Sequence, residues 1–431
     1  MTKEPYTAIV VGAGCSVGLG VPPMPAFMDK VYETLANKEG EKHLLNIRQF
    51  LQTIKPSGAY VRTQMLNIEE LYGMVDLAVD LEAAGTAPRK NEQPSSRDDE
   101  FGLAPDPMES LARDAREALN RAIFRIAINA GSDFQSHPKR FPGVNCLDMV
   151  KRESSTETIR AWDQGSSYTN LLAYLCLASH KDSDESRPLF IQFNWDLALD
   201  RALCYLNLWD DGQKIPPWYR DSSDDFYVST PRVARPHGGL CWVDTERSEN
   251  KHNCQDLERV EAELNEENCE RLRYEKGKHK WNTDVWIDSA QILTAERSTT
   301  TWSDGKMMAI VPPTWRKQST KAAYQDQWSF ILRGLRNVRR IVFIGYSLPQ
   351  SDLYFRHFLA LALAKNDYSP KIYVWNPGIR TNPEVRDSYL DLFAPLAREG
   401  RLFAIDGYFG NPALFDLERA LNTAEPLSAQ G

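Results

Sequence analysis

The sequence predicts a doubly wound α/β protein: a Rossmann-like parallel sheet covered by helices on both faces, with a helical insertion. Three observations carry this. A short, β-rich apolar run, YTAIVVGA at residues 6–13, ends in glycine. From about residue 340 onward, short apolar runs alternate with amphipathic stretches. Between these ends, residues 24–55 hold helical patterns and no second run of the first kind.

Taken in order, the run at 6–13 is a buried strand, and 24–55 is helical. NIEELYGMVDLAVDLE at 67–82 reads as an amphipathic helix with Asn67 as its cap. The polar, proline-bearing stretch 85–107 reads as a mobile loop. Residues 108–130 place Leu111, Ala115, Leu119, Ile123 and Ile126 on one helical face. A helix over 168–180 precedes the strand PLFIQFNWD at 188–196, and a helix follows at 197–206. The charged stretch 254–276 is helical, with Leu257, Val260, Leu264 and Leu272 on one side. MAIVPP at 308–313 is a short strand, and Tyr324, Trp328, Ile331 and Leu335 form a helical stripe within 319–337. Strands at 340–346, 371–377 and 401–407 then alternate with helices at 351–364, 383–393 and 411–422. Residues 1–30 and 165–431 therefore make one α/β domain, and 31–164 a mainly helical insertion.

Composition bounds the function. The 431 residues are 42% apolar and 26% charged, an ordinary globular mixture, with a net charge of −8. That balance argues against a protein that coats nucleic acid. No run approaches the ~18 apolar residues that span a bilayer. The seven cysteines are scattered and odd in number, which fits a reduced, cytoplasmic setting.

Gly12-Ala13-Gly14-Cys15-Ser16-Val17-Gly18-Leu19-Gly20-Val21-Pro22 follows the first strand. The dinucleotide fingerprint G-x-G-x-x-G fails at Val17, and no second strand carries the acidic residue it needs. A P-loop fails too, because the stretch has no lysine. Gly12 and Gly14 would let backbone approach a phosphate, and Ser16 offers a hydroxyl. The alternative is a tight turn without a ligand.

Four further clusters are polar at strand ends. Asn194 and Asp196 end the strand at 188–196, at the edge where open α/β sheets bind ligands. Asn194 could orient a water or a ribose hydroxyl and Asp196 an amide; equally, Asp196 could cap the next helix. His237 lies in Arg235-Pro236-His237-Gly238-Gly239, as a candidate acid–base group or a solvated loop histidine. Gly345, Tyr346 and Ser347 open a second loop after a strand, with Ser351 or Asp352 as the alternative helix cap. Asn376 ends the strand at 371–377 and could bond a ribose or simply close the strand.

The order of these clusters resembles the sirtuin-like NAD-binding family: G-A-G-x-S-x-x-x-G-x-P, then N-x-D, H-G, G-x-S and a strand-end Asn. The resemblance covers about 1–30 and 185–410. It implies a sirtuin-type fold with NAD+ as substrate. It implies that Gly12, Ala13, Gly14, Ser16, Asp196, Gly345, Tyr346, Ser347 and Asn376 bind the dinucleotide, and that Asn194 and His237 are catalytic.

The departures sharpen this expectation. Deacylating sirtuins carry two C-x-x-C pairs for zinc; this chain has none, and the spacing of His252, Cys254, Cys269 and His279 is no recognised zinc pattern. No metal is expected. The D-F-R after the deacylase glycine loop is also missing, since Pro22 is followed by Pro23-Met24-Pro25. G-Y-S-L-P-x-S-D is similar to bacterial sirtuin-like proteins of antiviral defence, which are NAD hydrolases. The resemblance thus implies an NAD+ glycohydrolase acting as an abortive-infection effector. Protein deacylation, ADP-ribosyl transfer and non-enzymatic NAD sensing are the alternatives. Such an activity needs a gate, so self-association or a separate activating subunit is expected.

Overall fold

A computed structural model describes residues 7–37, 40–54, 68–85, 107–128, 188–205, 232–244, 285–287, 308–310, 322–350, 352–409 and 417–428. By internal contacts the chain divides into two compact units. One comprises Met1–Val21, Ala127–Val311 and Trp315–Gly431; the other comprises Pro22–Ile126 with Pro312–Thr314. The expected helices at 168–180 and 254–276, and nearly all of the expected loop at 85–107, lie outside the described residues.

The first unit is built on a seven-stranded sheet. Its strands are β1 (Thr7–Val11), β2 (Leu189–Gln192), β3 (Arg232–Ala234), β7 (Arg340–Ile344), β8 (Lys371–Trp375), β9 (Leu402–Ile405) and β10 (Glu425–Pro426), in the spatial order β10-β9-β8-β7-β1-β2-β3. All pairs are parallel except β9 with β10. The doubly wound, parallel α/β class expected from the sequence is the fold observed.

The sheet is buried on both faces, which is why its strands read as unbroken apolar runs. On one face Ala8, Val10, Ile341, Phe343, Ile372 and Val374 join a common core. That core includes Trp328, Ile331 and Leu335 of α6 (Ala322–Leu335), Phe355 and Leu359 of α7 (Leu353–Ala364), and Tyr389 and Phe393 of α8 (Pro383–Arg398). The alternate residues Ile9, Val11, Val342 and Ile344 are equally buried. Two more helices of this unit are α5 (Ala198–Tyr205) and α9 (Leu417–Asn422).

α8 continues past the expected end at 393. Phe393 leaves helical geometry (φ −108°, ψ 22°), two residues before Pro395. A proline inside a helix removes one backbone donor and crowds the preceding turn, so the helix kinks there and resumes.

Four strands have no counterpart in the sequence reading: β3, β10, β4 (Gly238–Asp244) and β5 (Val285–Ile287). β4 lies between β5 and the expected β6 (Met308–Ile310) in a separate antiparallel sheet of order β5-β4-β6. Its ladder to β6 shifts register between Gly238 and Val243.

The second unit holds α1 (Met24–Leu35), α2 (Glu41–Ile54), α3 (Ile68–Gly85) and α4 (Pro107–Ala127). α4 buries Ala115, Leu119 and Ile123 as its periodicity requires, while Leu111 and Ile126 are only half-buried. Arg116 of α4, 3% exposed, is paired with Asp76 of α3 at 2.6 Å, and the Tyr72 hydroxyl donates to Asn120 Oδ1 at 2.8 Å.

Candidate functional site

β1 is flanked by β2 on one side and β7 on the other. Successive strands step outward from it in both directions, so the strand order reverses between β1 and β7. In open α/β sheets the crevice beyond the carboxyl ends at such a reversal is where ligands bind. The segments that follow β1, β2, β3, β7 and β8 all emerge at this edge, and every candidate residue of the first unit lies on one of them.

After β1 the chain makes two short 3-10 turns, Ala13–Cys15 and Val17–Leu19. The N–H of Gly12 donates to Ile344 O (3.0 Å) and that of Gly14 to Gly345 O (2.8 Å). Those of Cys15 and Ser16 turn back onto Gly12 O and Ala13 O. These four donors are thus taken within the protein. The inner glycines serve the contact between the two loops: a Cβ on Gly12 would stand 2.6 Å from Tyr346 Cα, and one on Gly14 2.8 Å from Gly345 Cα. Gly345 has φ +60°, and a Cβ there would strike Cys15 N. The outer glycines differ, since a Cβ on Gly18 or Gly20 would meet open space.

Asn194, two residues beyond β2, is buried at 8% exposure. Its Nδ2 donates to Gly12 O (2.9 Å) and to Ser16 Oγ (2.8 Å). Ser16 is fully buried and its hydroxyl bonds the Asp196 carboxylate. Asp196 Oδ1 also accepts from the Ala198 N–H at 2.9 Å, so Asp196 does begin α5 as the capping alternative requires. Burial raises the Asp196 carboxyl above the ordinary carboxylate range; the bonds from Ser16 and Ala198 and the nearby Arg235 charge oppose that rise. Gln192, the last residue of β2, is fully buried two residues before Asn194. Among the described residues, neither of its buried amide atoms has a hydrogen-bond partner.

His237, 2% exposed, sits on the turn between β3 and β4. Gly238 takes φ +67° and donates to Arg235 O at 3.0 Å, which closes the turn. The imidazole stands edge-on to Phe193, with ring centroids 4.6 Å apart, and its Nε2 is 4.0 Å from Asp352 Oδ2.

Sequence reasoning gave no role to Arg235 and Asp200. Arg235 is fully buried. It donates to the carbonyls of Asn194 (3.0 Å) and Asp196 (3.2 Å) and is ion-paired with the equally buried Asp200. Its own N–H donates to Gln327 Oε1 at 2.9 Å. Gly239 leaves room for this, since a Cβ there would lie 2.8 Å from the Arg235 guanidinium. The glycine after His237-Gly238 thus admits an arginine rather than a ligand. The available signal was charge in apolar surroundings: Asp200 follows Asp196 by one helical turn, within the run LALDRAL.

Tyr346 is buried, with its ring stacked on Phe193 at 4.9 Å and its hydroxyl donating to Asp352 Oδ2 at 2.7 Å. Its carbonyl accepts from Tyr389 (2.7 Å) and from Asn376 Nδ2 (3.4 Å). Asn376 Oδ1 accepts from Gly378 N–H at 2.8 Å. Gly14 and Ser347 are exposed, and Ala13 and Asn376 half-buried. The candidate residues therefore divide into an accessible rim (Ala13, Gly14, Ser347, Asn376) and a buried polar set (Ser16, Asn194, Asp196, His237).

Among the described residues no group of three or more His, Cys, Asp or Glu is placed to hold a metal; His252, Cys254, Cys269 and His279 lie outside them. Nor is any described helix long and apolar enough to cross a membrane.

No family model matches the chain, and no curated protein matches it. Among solved structures it is similar to a chain from "Structural Basis for the Mechanism and Regulation of Sir2 Enzymes". The identity is 11% and the TM-score 0.28, over 68% of this chain and 82% of that one.

Proposed function

We propose that this protein is an NAD+ hydrolase that cleaves the bond between nicotinamide and ribose, adding water to give nicotinamide, ADP-ribose and a proton. The observation that carries the reading is the buried, hydrogen-bonded set of Asn194, Ser16 and Asp196 at the reversal of strand order, with the buried His237 against Phe193 of the same segment as Asn194. It is joined by the motif order that resembles sirtuin-like NAD-binding proteins.

The chemistry asks for three things: the dinucleotide held in place, a ribose that becomes positively charged, and a water delivered to it. Gly14, Gly18, Gly20 and Ser347 suit the diphosphate, since they are exposed or stand over open space. Asn376 suits the adenosine ribose and Asp196 the nicotinamide carboxamide. Both Nδ2 hydrogens of Asn194 are taken by Gly12 and Ser16, so Oδ1 is the atom that accepts from the attacking water or the nicotinamide ribose. His237 accepts a proton or orients the hydroxyl. Hydrolysis of the cell's own NAD would be lethal if constant. The reading therefore includes a gate, through self-association or a separate subunit, and a role in abortive antiviral defence.

The test is NAD+ consumption by the purified chain, alone and co-expressed with the products of neighbouring genes. The expected products are free ADP-ribose and nicotinamide without any acyl-peptide. Asn194→Ala and His237→Ala are each expected to lower turnover by about 10²-fold or more. Near-normal turnover in both sinks the assignment. Products that require an acyl-peptide point to a deacylase, ADP-ribose joined to protein points to a transferase, and tight NAD+ binding without turnover points to a sensor.

A further inference from the structure

Asp352 belongs to the helix that follows the second glycine loop, yet it faces the histidine of a different segment. Its Oδ1 accepts from the Phe355 N–H at 3.2 Å, as the cap of α7. Its Oδ2 accepts from the Tyr346 hydroxyl at 2.7 Å and stands 4.0 Å from His237 Nε2. Both side chains of that last pair are buried, at 0% and 2% exposure. The four residues close a circuit. His237 meets Phe193 edge-on, Phe193 stacks on Tyr346, Tyr346 bonds Asp352, and Asp352 faces His237.

We infer that Asp352 is a positioning residue for His237: its anchored carboxylate selects the tautomer with hydrogen on Nε2 and leaves Nδ1 to take the proton from the reacting hydroxyl or water. The catalytic consequence rests on the NAD-cleaving reading; the tautomer assignment does not. A carboxylate beside one ring nitrogen favours the hydrogen on that nitrogen and stabilises the imidazolium that forms when the other is protonated. Two anchors hold Asp352 in place, and Phe193 bounds the ring on another side. The 4.0 Å separation is longer than a hydrogen bond, as catalytic pairs commonly are before a ligand closes the site.

Among the described residues, these charged or polar groups on the neighbouring elements have partners of their own. Arg235, on the same turn, is turned to Asp200 and the carbonyls of Asn194 and Asp196. Asp196 is bonded to Ser16 and Ala198. On α7, Arg356 donates to the carbonyls of Leu348 and Ser388. On α8, the Tyr389 hydroxyl donates to Tyr346 O, and α6 contributes the neutral Gln327.

The deciding variant is Asp352→Asn, which keeps the volume and, because Asn caps helices as well as Asp, the start of α7. The full chain is labelled with [15N]histidine, and the His237 signal is identified by its loss in His237→Gln. Neutral His237 is expected to carry its hydrogen on Nε2 in the parent chain. In D352N its titration midpoint is expected to fall by about one unit, with loss of that tautomer preference. An unchanged midpoint and tautomer overturn the inference. Should D352N lose the parent's circular dichroism, Tyr346→Phe decides. It removes a donor from the carboxylate, so the His237 midpoint is expected to rise, and an unchanged or lower value overturns the inference.

If the parent chain cleaves NAD+, D352N is expected to lose about 10²-fold in kcat with KM little changed, and to shift the acidic limb of the pH profile downward. A parent chain that never cleaves NAD+ overturns the proposed function while the labelling result still decides the role of Asp352. An active parent whose His237 is indifferent to D352N overturns only the latter.

Discussion

At the scale of single residues, the candidate site stores ionisable groups in buried surroundings. Asp196 is the clearest case. Its burial disfavours the ionised form, so its carboxyl is raised in the folded chain. The sign of the linkage follows. Below the ordinary carboxylate range both folded and unfolded chains hold the proton and no penalty applies. As pH rises the unfolded chain releases it first, and stability falls until the folded carboxyl also ionises. Asp196→Asn lacks that loss. Melting of the two chains compared between pH 4 and pH 7 is expected to move in favour of the Asn variant with rising pH. A constant difference refutes this. Arg235 and Asp200 are a second such store, tolerable because each neutralises the other.

At the scale of elements, the two glycine loops are a single packed unit, and their glycines fall into two kinds. Gly12→Ala places a methyl against the Tyr346 backbone, and a cost of about 1–3 kcal/mol is expected for such overpacking. Gly18→Ala meets open space and is expected to change stability by no more than about 0.5 kcal/mol. Denaturant midpoints of the two variants check the contrast, and equal midpoints contradict it. Sequence pattern could not separate these glycines, because the difference lies in what the other loop brings to them. The same limit explains three of the four missed strands. β1, β7 and β8 are five-residue apolar runs whose burial shows in their composition. β3 and β5 have three residues each and β10 two, so they are defined by their partners rather than by a pattern of their own. The turn carrying His237 was read as a loop for that reason; it joins β3 directly to β4.

At the scale of the whole molecule, the site is assembled from distant parts of the chain. Val11 of β1 is in register with Gln192 on one side and Ile344 on the other. Local sequence shows that these are strands but not that they are neighbours. The order of the clusters, compared with a known family, supplied the set of candidate residues; it could not supply Arg235, which bonds the carbonyls of Asn194 and Asp196, or its partner Asp200. Because β1 lies inside the sheet, deleting residues 1–11 removes the pairing partner of both β2 and β7. The truncated chain is expected to lose the strand signal in its circular dichroism and its cooperative melting. A truncated chain that melts like the parent would show that the sheet closes without its inner strand.

The turn between β3 and β4 has one more consequence. β3 is tied into the large parallel sheet, and β4 into the small antiparallel one, with only Arg235, Pro236 and His237 between them. The imidazole therefore rides on the seam where the two sheets are stitched together. A sliding or tilting of either sheet against the other must pass through the turn that carries His237, so its alignment depends on the mutual fit of two separately built layers.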